Sequence, residues 1–162
     1  ELSSPLDGIR FNIKGHNDDN RLRQISWPID DSMAYIALPD SRGRVESIDQ
    51  LFGDNTLGPD GKFSRDGYHA LSKYDLNDDE QIDQDDGVFS KLRLFFDRNR
   101  NGRADSGELV SLKRAGITSV DLRFDPRYKE KDIYGNKILY KSVADSEDGM
   151  LLVFDIWFRH ID

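Results

Sequence analysis

Cysteine is absent from this sequence, so disulfides, thiolate metal sites and a cysteine nucleophile are excluded, and any metal must be held by oxygen ligands. There is no excess of positive charge. The 23 Lys and Arg residues stand against 31 Asp and Glu, a formal net charge of −8, which argues against nucleic acid and anionic membranes as partners and favours cations. No apolar run reaches the roughly 18 residues of a membrane-spanning helix. The first residues, Glu1-Leu2-Ser3-Ser4-Pro5, carry neither the charged nor the apolar region of a signal peptide, so the chain reads as a soluble piece of a longer protein. No Gly-rich phosphate loop precedes a helix, and no Ser/His/Asp set stands out. His16, His69 and His160 are scattered without the i, i+4 spacing of a helical zinc site, which makes them surface or packing residues.

What is present suffices for a core. The 162 residues are 36% hydrophobic and include nine Phe, six Tyr and two Trp, against 33% charged. We read them as a single α+β domain, 1–162. Its parts are N-terminal strands over 1–53, a helix-loop-helix-loop-helix core over 62–116, and C-terminal strands over 117–162. Short apolar-aromatic runs at Ile9–Ile13, Gln24–Trp27 and Met33–Leu38 predict strands, as does Ile117–Phe124. Ile138–Val143 and Leu151–Phe158 predict a hairpin around Ser146-Glu147-Asp148-Gly149. Tyr68, Leu71 and Tyr74 predict a short helix from Asp66 to Tyr74. Val88, Phe89, Leu92, Phe95 and Phe96 fall on one face of a second helix over Asp85–Phe96. A third helix is predicted from Ser106 to Ala115, ended by Gly116 as a left-handed cap. Phe95, Phe96, Trp157 and Phe158 fit core packing, with a partner groove as the alternative.

Between these helices lie two acidic loops. A calcium ion takes six to eight oxygens, which a twelve-residue loop supplies from positions 1, 3, 5, 7, 9 and 12. The second loop has Asp97, Asn99 and Asn101 at 1, 3 and 5, Gly102 at the sharp turn, the Arg103 carbonyl at 7, Asp105 at 9 and Glu108 at 12. The first has Asp75, Asn77, Asp79, the Gln81 carbonyl, Asp83 and Asp86 at the same positions, but Glu80 replaces the glycine and Asp86 is a methylene shorter than Glu. Two Ca2+ sites are expected. The second has the better geometry, and the first has more carboxylates without interleaved arginines. The helix over 85–96 would couple the sites, and Ile82 and Ala104, both at position 8, could form a short β-bridge. Solvated acidic turns are the plainer alternative.

The runs Leu51-Phe52-Gly53-Asp54-Asn55-Thr56, Asp66-Gly67-Tyr68-His69-Ala70-Leu71 and Tyr74-Asp75-Leu76-Asn77, with Gly116-Ile117-Thr118-Ser119-Val120-Asp121-Leu122 and Phe154-Asp155-Ile156-Trp157-Phe158, resemble the EF-hand-bearing module of large secreted RTX-type bacterial proteins. The self-processing module of the iron-regulated members is included in that likeness. The resemblance implies a calcium-binding, monomeric domain of a larger secreted or cell-surface protein. Further aspartate-rich loops of that family correspond here to Asn12–Asn20 and Leu38–Asp49, where Lys14, Leu38 and Arg42 displace ligands, so no metal is expected there. In self-processing relatives an Asp-Pro bond is cleaved through an anhydride. The equivalent junction here is Ser4-Pro5, whose serine cannot form one, and Asp125-Pro126 lies elsewhere in the pattern. The expectation is therefore a calcium-stabilised structural module and not an enzyme. Calcium-triggered self-cleavage and calcium-dependent adhesion or docking are the alternatives.

Overall fold

The computed structural model describes residues 1–18 and 20–161. Its regular elements are β1 (Ile9–Phe11), β2 (Arg23–Ile25), β3 (Tyr35–Ala37), α1 (Gly67–Ser72), β4 (Gln81–Asp83), β5 (Arg93–Phe95) and β6 (Leu109–Ser111). They continue with β7 (Ile117–Asp121), β8 (Asp125–Lys131), β9 (Lys137–Ser146), β10 (Gly149–Trp157) and β11 (His160–Ile161). Three antiparallel sheets result: β1-β2-β11, β3-β5-β6, and a larger one ordered β10-β9-β7-β4 in which β8 also pairs with β9.

The fold is thus mostly β, and the expected α+β class with helices flanking both loops is overturned. Among the described residues α1 is the one α-helix, beside two 3-10 turns at Gly15–Asn17 and Ile48–Gln50. Residues 85–96 do not form a helix. Leu92 N–H reaches the Val88 carbonyl at 3.0 Å for a single turn, and the chain then extends because Arg93–Phe95 lies between β3 and β6 and pairs with both. Residues 106–115 fail likewise: Leu109–Ser111 is recruited by β5, and one turn remains, closed by Ala115 N–H to the Ser111 carbonyl at 3.0 Å. Helices this short have little intrinsic stability, so a non-local ladder wins. Gly116 does take the expected left-handed conformation, with φ +77°.

The strands that were read from alternation are present. Ile9 and Phe11 are buried on either side of exposed Arg10, and β9 and β10 form a hairpin whose register pairs Ser146 with Gly149. Two buried clusters fill the interior. Phe11, Ile25, Trp27, Val45 and Phe95 centre the first, with Phe158 packed on it. Leu71, Ile82, Leu92, Leu112 and Val120 centre the second. Beyond them the tip of the β9–β10 hairpin exposes Met150, Leu151 and Leu152.

Helix α1 is placed by polar contacts. Asp66 caps it by accepting the His69 N–H at 2.7 Å, and Tyr68 Oη donates to the carbonyls of Tyr140 and Val153 at 2.6 and 2.9 Å. Gly67 passes so close to the Phe52 carbonyl that a Cβ would sit 2.8 Å from its oxygen. Its N–H donates at 3.2 Å to Oδ2 of buried Asp155, which also accepts Trp157 Nε1–H at 2.8 Å. Burial raises the Asp155 pKa from 3.8 to about 6, the two hydrogen bonds opposing it. A carboxyl that binds its proton more tightly when folded contributes stability that is present below 3.8 and lost as the pH rises through about 6. Asp155→Asn keeps an oxygen for both donors and removes the buried charge. At pH 7.5 it should be more stable than wild type by roughly 2 kcal/mol in urea unfolding, the gap closing towards pH 4. A variant that is less stable at pH 7.5 would show that the charge itself is needed.

Candidate metal-binding loops

The two acidic loops lie in different surroundings yet close in the same way. In the second, Asp97 Oδ1 accepts Asn101 N–H at 3.1 Å and Oδ2 accepts Gly102 N–H at 2.7 Å. In the first, Asp75 Oδ1 accepts Asp79 N–H at 3.2 Å and Oδ2 accepts Glu80 N–H at 2.9 Å. Position 1 therefore gathers the amides of positions 5 and 6 in both. Position 12 gathers those of positions 2 and 9. Glu108 accepts from Arg98 at 2.8 Å and Asp105 at 2.9 Å, and Asp86 from Leu76 at 2.9 Å and Asp83 at 3.1 Å. At position 5, Asn101 and Asp79 each accept the N–H of position 7, at 3.0 and 2.9 Å.

The backbone repeats as well. Positions 4 and 6 are left-handed in both loops, with φ of 58° and 62° at Asp78 and Glu80 and of 56° and 77° at Arg100 and Gly102. Gly102 is also required by packing, since a Cβ there would lie 2.9 Å from the Ile9 side chain. Glu80 carries its side chain in the same conformation, which costs about 1 kcal/mol. Burial follows loop position: Asp86 and Glu108 are buried, whereas Asn77, Asp79, Asn99 and Asn101 face solvent. The shorter Asp86 still reaches both amides.

This donor set suits a hard cation. A carboxylate oxygen has two lone pairs, so one that accepts a single amide N–H can still face an ion. Asn99 and Asn101 donate to Asp105 Oδ2 at 2.8 and 2.6 Å, and these amides hold the Asp105 carboxyl below the usual range. Asn77 similarly donates to Asp79 at 3.0 Å. A half-turn of Asn77 presents its oxygen in place of its nitrogen, while the oxygens of Asn99 and Asn101 already accept the N–H groups of Asn101 and Arg103 and keep a second lone pair. Among the described residues no three His, Cys, Asp or Glu side chains converge as a metal-binding group. The loops would rely on asparagine and main-chain oxygens, from Gln81 and Arg103, to complete a shell.

The loops do not pair with each other. Ile82 lies opposite Val120 in the β4–β7 ladder, while Ala104 N–H donates to the Val45 carbonyl at 2.9 Å, so the expected bridge between them is absent. Nor does a helix join them. Two of the arginines interleaved in the second loop reach other segments: Arg98 Nε meets Asp31 at 2.8 Å while its Nη1 donates to the Gly107 carbonyl at 2.9 Å, and Arg100 donates to the Asp7 carbonyl at 2.5 Å. Sequence reading missed Trp27, whose Nε1–H donates to Asp97 Oδ2 at 2.8 Å, and no local signal marks a partner so distant in the chain.

In the two degenerate stretches, basic side chains meet the carboxylates. Asp40 binds the Arg44 guanidinium at 2.9 and 3.0 Å, and Glu46 lies 3.8 Å from its other nitrogen. Its contacts with Arg44 hold the Asp40 carboxyl low. Asp18 contacts Arg23 and lies 3.7 Å from Lys14, and Asp19 lies outside the described residues. Near the chain start, Ser4 Oγ donates to Asp7 Oδ2 at 2.7 Å.

The chain belongs to the SPM domain family, whose pattern matches residues 1–159. The relation to iron-regulated bacterial proteins also holds. The chain is 33% identical over 109 residues to the iron-regulated protein FrpA of Neisseria meningitidis serogroup C. That match covers 67% of this chain and 10% of the relative, so the chain spans about a tenth of FrpA's length. No helix is long and apolar enough to cross a membrane among the described residues.

Because Glu80 holds a left-handed backbone that Gly102 adopts without strain, Glu80→Gly should raise stability by up to about 1 kcal/mol in urea unfolding, the gain reduced by the freedom glycine adds to the unfolded chain. A loss of similar size would show that the Glu80 side chain has a role of its own.

Proposed function

We propose that this chain is a calcium-binding structural module of a larger secreted or surface protein, with one ion in each loop and the fold stabilised by them. The observation that carries the reading is the congruence of the loops. Two segments with different residues at positions 5, 6 and 12 gather the same main-chain amides and turn left-handed at the same positions. Simple acidic turns elsewhere in the chain close differently, Asp40 and Asp132 each taking the amides two and four residues on with a single oxygen. Asp97, Asn99, Asn101, the Arg103 carbonyl, Asp105 and Glu108 would hold one ion, and Asp75, Asn77, Asp79, the Gln81 carbonyl, Asp83 and Asp86 the other. A bound ion would offset the mutual repulsion of carboxylates in a chain of net charge −8.

The functional consequence is linkage. An ion bound only by the folded form stabilises it by about 2.7 kcal/mol at a hundred times its dissociation constant. For sites of roughly 10 µM, millimolar extracellular calcium gives that margin and submicromolar cytosolic calcium gives almost none. Calcium would then signal that the host protein has left the cell. Self-cleavage is not part of the reading. Asp125, in the Asp125–Pro126 pair, has its carboxylate bonded to the Arg127 main-chain and side-chain N–H groups, which hold it below the usual range.

Calorimetric titration of calcium should give two sites, with Asp75→Ala and Asp97→Ala each removing one, and millimolar calcium should raise the thermal midpoint. An unchanged midpoint and no heat of binding would overturn the proposal. Intact mass after incubation with calcium should show one species, and a fragment ending at Asp125 would instead establish self-cleavage.

A further inference from the structure

The two loops differ at one point in an otherwise shared pattern. Asp75 accepts one main-chain amide at each oxygen, whereas Asp97 Oδ2 accepts both Gly102 N–H at 2.7 Å and the Trp27 indole N–H at 2.8 Å. With two donors on Oδ2 and only Asn101 N–H on Oδ1, the lone-pair count leaves Oδ1 as the oxygen able to face a cation. The donor is rigidly held. Trp27 is fully buried, its ring centroid lies 4.9 Å from those of both Phe11 and Tyr35, and the Ser3 and Trp27 main chains bond at 2.9 Å. From this we infer that Trp27 is a positioning residue for the second calcium site. It fixes the rotation of the Asp97 carboxylate, commits that ligand to one oxygen, and ties occupancy of the site to the N-terminal aromatic core.

The inference rests on the proposed calcium binding and adds to it a residue from outside either loop. It also predicts an asymmetry, because the first loop has no indole on its leading aspartate. Partners of this kind are worth about 10- to 100-fold in metal affinity, since they orient a ligand that would otherwise rotate. Trp157 provides an internal reference. Its Nε1–H also donates to a carboxylate at 2.8 Å, but that carboxylate is Asp155, which belongs to neither loop.

The test has two parts, both on the whole chain. In calorimetric titration with calcium, Trp27→Phe keeps an aromatic ring and loses the donor. It should weaken the second site at least about 10-fold and leave the first at its wild-type affinity, which also certifies that the variant is folded. The second part needs no variant in the core: with the indole nitrogens labelled with 15N, the Trp27 Nε1–H resonance should move as the second site fills and the Trp157 resonance should not. The Trp27 shift should persist in Asp75→Ala. Wild-type affinity at the second site in Trp27→Phe, or a Trp27 indole signal indifferent to calcium while two ions bind, overturns the inference and leaves the proposed function standing. A wild-type chain that takes up no calcium overturns both.

Discussion

Asp86 and Glu108 are buried carboxylates, and each is held by main-chain N–H groups from the beginning and the later part of its own loop. Burying a charge is costly unless hydrogen bonds replace the water it loses, and these amides are that replacement. The rest of the architecture follows from the closure. Drawing Glu108 back to Arg98 brings Phe96 N–H within 2.9 Å of the Glu108 carbonyl, and that bond opens the β5–β6 ladder onto which β3 adds. Drawing Asp86 back to Leu76 sets β4 against β7 and so joins the first loop to the large sheet.

The loops therefore serve as connectors between β elements, and each belongs to a different half of the interior. Ile82 in the first loop and Val88 just after it enter the cluster around Leu112 and Val120. Ala104 in the second loop and Leu109 just after it pack on the cluster around Trp27 and Phe95. Strand β5 spans the two, with Phe95 in one cluster and Leu94 packed against the other. A rigid helix between the loops would have coupled them directly. What the chain has instead is a short strand whose alternate side chains face separate cores.

Features that depend on local chemistry could be read from the sequence, and features that depend on distant pairing could not. The loop positions, Gly116, the Asp66 cap and the β9–β10 hairpin are written in residues close to one another. The apolar set Val88, Phe89, Leu92 and Phe95 fits a helix by spacing alone, and it is β3 and β6, far away in the chain, that convert its end to a strand. Strand β8 escaped notice because Arg127, Lys129, Glu130 and Lys131 give it no apolar alternation, and pairing with β9 alone orders it. The loop positions were legible. Their supports, Trp27 on Asp97, Val45 on Ala104 and Val120 opposite Ile82, became visible only in three dimensions.

The turn at Asp40 shows a different solution to the same electrostatic problem. Its Oδ1 accepts the main-chain N–H groups of Arg42 and Arg44, where the leading aspartates of the two loops use both oxygens, and the positive charge beside it is the Arg44 guanidinium. That counter-ion is covalently attached and present from the moment of synthesis. It cannot be withdrawn by a chelator or left behind in another compartment. On the proposed reading the chain combines acidic turns whose neutralisation is inherited with two whose neutralisation would be acquired. Its response to its surroundings would then be confined to the segments from 75 to 108.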